Sequence, residues 1–125
     1  MPKKALDPLT EPMYYVLLCL SRRSMSGTEI AEYVQGLTSD RVRLGPGTLY
    51  AILSTFQKEG VIRRMEQDGR RIPYEITEKG NQLFQEEVDR LRICLADTQR
   101  DYQPAQEADE EVRAKAGAAG KPAFA

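Results

Sequence analysis

Between Leu44 and Leu53 the chain reads LGPGTLYAIL, a run whose chemistry is that of bare backbone amides followed at once by hydroxyls. Gly45 suits the N-cap of a helix, and Pro46 suits its first position, where a missing N–H costs nothing. Gly47 then leaves the free amides of the first turn uncovered. A helix N-terminus carries partial positive charge and unpaired N–H groups, so such an entrance attracts phosphate. Thr48 and Tyr50 add hydroxyl donors, because both fall off the apolar stripe of Leu49, Ile52 and Leu53. The competing reading is a plain tight turn followed by a capping threonine and a half-buried tyrosine whose hydroxyl finds a partner.

Charge along the chain favours the first reading. The protein has 18 basic and 19 acidic residues and a net charge of −1. From Arg41 to Arg71, however, seven basic groups face three acidic ones, and for a polyanionic partner that local excess outweighs the global figure. Arg41 and Arg43 precede the helix and are expected to flank its entrance. Ser54 and Lys58 follow Tyr50 one and two turns on, along the same exposed face. Ser26 and Thr28 open the preceding helix and can reach a neighbouring phosphate. Arg70 and Arg71 sit at or just past a predicted turn, where a fork of donors reaches phosphates or a minor groove. Arg63 and Arg64 alternate across a strand, so at most one of them faces the same way as the rest. Any one of these arginines taken alone reads as a solvated surface group; their convergence is what points to a polyanion.

Other chemistries lack their residues. There is no histidine, which removes the commonest metal ligand and general base. Cys19 and Cys94 lie far apart and read as core thiols rather than a metal or redox pair. No catalytic-triad, P-loop or dinucleotide pattern occurs, so neither an enzyme nor a cofactor is expected. The longest apolar run, MYYVLLCL, is far short of the roughly 20 residues that span a bilayer. MPKKALDPLTEP has no secretory features, and the expected location is cytoplasmic.

The elements that must carry the entrance follow from caps and periodicity. After a short arm (1–9) bearing Lys3 and Lys4, Thr10 offers an N-cap, with Glu11 and Pro12 in the first turn. Met13, Val16, Leu17 and Leu20 then form one stripe of a helix ending near Arg22 and Arg23. Ser26 caps a second helix of about ten residues with Ile30, Ala31, Val34 and Leu37 inward. The third begins at Pro46 and stops at Gly60, a good C′ residue. Val61–Met65 and Ile72–Ile76 read as strands around an Asp68-Gly69 turn. Pro73 cannot donate to a ladder, so its strand is expected to pair on one side only. Thr77 caps a fourth, longer helix in which Phe84, Val88, Leu91 and Leu95 make a heptad-like seam, as if for a second copy of the chain. A domain this small buries more apolar surface by pairing.

Three helices, a hairpin and a long helix make an α+β, mainly α, winged helix-turn-helix (10–76) with a C-terminal dimerisation helix (77–102). Residues 103–125, rich in Ala, Gly, Glu and Pro, read as a disordered tail. The partner expected of the third helix and wing is a double-stranded DNA operator.

The segments LTEPMYYVLLCL, LGPGTLYAILSTFQKEGVI and PYEITEKG resemble those of the PadR family of bacterial transcriptional regulators, over roughly residues 6–95. The resemblance implies a dimeric, usually repressing, winged-helix protein of the short branch, with Thr48 and Tyr50 on the DNA-facing helix. It also implies release by a small aromatic effector that the chain does not identify. Two departures stand out. Ser26-Gly27-Thr28 replaces the His-Gly-Tyr of many members, and there is no tryptophan to sandwich a flat drug. A MarR-type regulator and a winged-helix protein-interaction adaptor are the alternatives.

Overall fold

The computed structural model describes residues 6, 8–66, 69 and 71–104. Lys3, Lys4, Asp68, Arg70 and most of the expected tail lie outside the described residues. Four helices and three strands follow in the order α1 (Glu11–Arg22), β1 (Met25–Ser26), α2 (Gly27–Leu37), α3 (Pro46–Lys58), β2 (Ile62–Arg64), β3 (Pro73–Ile76) and α4 (Glu78–Asp101).

Each helix starts where its cap requires. Thr10 accepts the Met13 amide at 3.3 Å. Ser26 and Glu29 form a reciprocal capping box: the Ser26 hydroxyl accepts the Glu29 amide at 3.3 Å, and the Glu29 carboxylate accepts the Ser26 amide at 3.0 Å. Thr77 accepts the Gly80 amide at 3.1 Å and donates to the Gly60 carbonyl at 2.7 Å. Gly45 caps α3 with no side-chain bond at all.

The chain divides into two compact units, the first ending at Val88 and the second beginning at Asp89. In the first unit the apolar stripes of three helices meet. Val16 and Leu17 of α1, Ile30 and Val34 of α2, and Leu53 and Phe56 of α3 are fully or almost fully buried. Each contributes about 1.5–3 kcal/mol by leaving water. Leu37, the expected end of the α2 stripe, instead stays 42% exposed at the helix terminus. Leu6 and Leu9, from the expected arm, join the core. Cys19 is buried, and desolvation pushes its thiol up to about 11, against a smaller opposing pull from Arg22 and Arg23.

The sheet differs from the expected hairpin. β1 is a two-residue strand that pairs antiparallel with β3, Met25 opposite Tyr74 and Ser26 opposite Pro73. β2 pairs with the other side of β3, Ile62 opposite Ile76 and Arg64 opposite Tyr74. The order is therefore β1-β3-β2, and the strand expected to pair on one side is central. Proline is tolerated there because it is the first residue of the strand. Its carbonyl still accepts the Met65 amide at 2.9 Å.

The wing is stitched to the start of α4. The Thr77 amide donates to the Val61 carbonyl at 3.0 Å, and Gly80 lies so close that a Cβ there would collide with the same carbonyl oxygen. In the second unit, Asp89–Asp101 continues as helix, with Leu91 half-buried and Ile93, Leu95 and Tyr102 exposed. No described helix is long and apolar enough to cross a membrane.

Candidate nucleic-acid interface

The entrance of α3 is open. An added Cβ at Gly45 or Gly47 would meet no atom within 4 Å, and Pro46, Gly47 and Thr48 are all exposed. Its first turn holds no acidic residue, so no carboxylate of that turn offsets the positive end of the helix. Leu49, Ile52, Leu53 and Phe56 face inward. Tyr50 is 52% exposed, and Ser54 and Lys58 are exposed along the same flank.

Beside this flank lies a cleft of about 220 Å³. One wall is the start of α2, Ser26 to Thr28; the other is the wing, with Arg64, Arg71, Ile72 and Tyr74; Tyr50 reaches in from α3. The Tyr50 hydroxyl lies so near Gly27 that a Cβ there would stand 2.9 Å from it. A residue with a side chain at position 27 would displace the tyrosine. The cleft thus gathers hydroxyls, two guanidinium groups and a helix N-terminus, an assembly suited to an oxyanion.

Of the expected residues, Thr28, Tyr50 and Arg71 come together here, while Gly47, Thr48, Ser54 and Lys58 stand exposed along α3. Ser26 also lines the cleft, but it is buried and its hydroxyl is engaged in the capping box. The Ser26 amide, and after it the Arg23 guanidinium, hold the Glu29 carboxyl below its ordinary value. Arg43 lies loosely beside Asp40, at 3.8 Å. Arg41 turns toward α1, donating to Glu11 at 3.0 Å and to the Tyr15 hydroxyl at 2.9 Å. Arg70 lies outside the described residues.

Arg64 is the residue the sequence left undecided. Arg63 pairs with Glu75 across the ladder, which leaves Arg64 to line the cleft. Its signal was the strand alternation itself, read together with an acidic residue opposite Arg63.

On the seam expected between two copies, Phe84 packs within its own chain, its ring 5.1 Å from that of Tyr14. Val88 and Leu91 are half-buried, and Leu95 is 39% exposed.

A helical reading head with an open third-helix entrance and a β wing against its flank defines a winged-helix fold of the transcription-regulator kind. The chain belongs to the PadR-like transcriptional regulator family, whose model matches residues 16–86, more than half its length. Solved structures agree on the fold. A transcriptional regulator from Clostridium thermocellum superposes with a TM-score of 0.66 at 19% identity, over 74% of this chain and 90% of that one. A PadR family transcription regulator from Clostridium difficile gives 0.62 at 21% identity, over 73% and 97%. RosR of H. salinarum gives 0.57 at 25% identity, over 94% and 100%. No curated protein matches the chain. PadR-family regulators bind DNA.

Proposed function

We propose that this protein is a cytoplasmic, homodimeric repressor that binds a near-palindromic operator and leaves it when a small molecule shifts the spacing of its two reading heads. α3 lies in the major groove, with Thr48, Tyr50, Ser54 and Lys58 toward the DNA and the amides around Gly47 against a phosphate. Thr28, Arg64 and Arg71 grip the adjacent backbone, and Arg43 flanks the entrance. The single observation carrying this reading is the open, uncapped, acid-free start of α3 beside a cleft holding two arginines. Leu91 and Leu95, on a helix that leaves them partly exposed, support pairing with a second copy. Half-sites would then lie about 34–36 Å apart, one turn of duplex.

The test is selection of duplexes from a random pool by the purified protein, followed by mobility shifts across a salt series. The expected product is an inverted repeat. With about six phosphates neutralised per dimer, log affinity should fall with log salt at a slope near −5. Failure to retain any duplex at low salt would overturn the reading in favour of a winged-helix adaptor. A monomer by sedimentation at working concentration would remove the paired operator.

A further inference from the structure

Three of the four described helices begin with a side-chain cap, and α3 does not. Core packing of Leu49, Ile52, Leu53 and Phe56 holds the body of that helix, and its uncapped entrance is left to the connector that precedes it. That connector is unusual. Ser39 and Asp40 both adopt the left-handed backbone region, with φ of 51° and 65°, which residues with side chains enter seldom, aspartate more readily than serine. Thr38 holds one side: its hydroxyl accepts the Val42 amide at 3.0 Å and donates to the Val34 carbonyl at 2.8 Å.

Arg41 holds the other. Its Nη1 donates to the Glu11 carboxylate at 3.0 Å and its Nη2 to the Tyr15 hydroxyl at 2.9 Å, while the guanidinium lies 6.0 Å from the centre of the Tyr15 ring. Glu11 and Tyr15 are one turn apart on α1, so the flat fork of an arginine spans both at once, which a lysine cannot do. Tyr15 is 2% exposed and belongs to the core, so the tie runs from the connector into the rigid centre of the unit. A guanidinium held in this way must give up both partners before it closes on a phosphate.

We propose that Arg41 is a positioning residue: through Glu11 and Tyr15 it sets the connector, and hence the α3 entrance, without itself touching DNA. The inference rests on the DNA-reading function proposed above. Removing Glu11 distinguishes the two roles by sign. If Arg41 were a phosphate contact restrained by Glu11, Glu11→Gln would release it and tighten binding. If Arg41 positions the helix, the same change loosens the entrance and weakens binding, even though it removes a negative charge from the protein.

The experiment titrates a fluorescent duplex, drawn from a random pool by the wild-type protein, with Glu11→Gln, Tyr15→Phe, Arg41→Lys and Arg41→Ala over a salt series well below each melting temperature. Each variant should bind about three- to tenfold more weakly at fixed salt, the scale of one ordinary hydrogen bond. The salt slope should not change, and the Glu11→Gln/Arg41→Ala double variant should be no worse than Arg41→Ala alone. Tighter binding by Glu11→Gln, unchanged affinity of Arg41→Ala, or a slope flattened by about one unit would overturn the proposal. Should the wild type retain no duplex, the DNA reading fails on its own. The positioning role is then read from hydrogen exchange of the Leu49 amide, which bonds to Gly45. It should exchange faster in Arg41→Ala and Glu11→Gln, and unchanged exchange would refute the role.

Discussion

Helices α2 and α3 begin on neighbouring parts of one surface, and their entrances are built in opposite ways. At α2, Ser26 and Glu29 close on each other and satisfy two backbone amides, and the serine is buried. At α3, two glycines bracket a proline, no side chain caps the turn, and the flank is open. A helix start can serve stability by filling its own amides or serve a ligand by leaving them empty, but one set of amides cannot do both. The first entrance holds the fold and the second is available to a partner.

The comparison breaks most sharply at Gly47. Gly47→Asp places an acid in the first turn of α3, where it favours the helix dipole, and in space that is open. Thermal stability should hold or rise slightly, while affinity for a selected duplex should fall about a hundredfold, roughly 3 kcal/mol, as a charge-assisted contact becomes a repulsion. A variant that melts normally and binds like wild type would show that the bare entrance is only a turn. Ser26→Ala tests the other side. It should cost about 1 kcal/mol of folding stability in urea denaturation. DNA binding by the folded fraction should change much less.

The capping box also predicts a response to acid. Glu29 has a folded value below its ordinary 4.5, so its contribution is full above that pH and is lost as the pH falls through the lower, folded value. Melting temperature should therefore drop on acidification below about 4.5, and Glu29→Gln should show a smaller drop over the same range. The smallest expected effect is that of Tyr50→Phe. Losing one exposed hydroxyl should weaken duplex binding about two- to fivefold and leave the melting temperature within a degree or so.

Most of the architecture was legible because it is written locally. Thr10, Ser26, Gly45-Pro46 and Thr77 mark helix starts at fixed offsets, and the stripes of Val16, Leu17 and Leu20 or Leu49, Ile52 and Leu53 announce their buried faces. What escaped was long-range. β1 is two residues, too short for any period, and it exists because β3 supplies its partner. Without β1, Pro73 reads as an edge residue. Arg41 reads as a free cation beside the α3 entrance because Glu11 and Tyr15 lie 30 and 26 positions away. Leu6 sits in a segment with no periodicity, and only the finished core shows where it goes. The open entrance was visible as glycines. The cleft was not, since its walls come from three separate stretches of chain.

The two cysteines have a practical consequence. Cys19 is enclosed, and its thiol ionises only at about 11, so alkylating reagents at neutral pH meet almost no thiolate there. Cys94, which its apolar sequence context places in a core, is instead exposed on α4. Maleimide chemistry on the unaltered protein should thus attach a single dye per chain at Cys94, and energy transfer within a mixed donor–acceptor sample would read out self-association without any engineered handle.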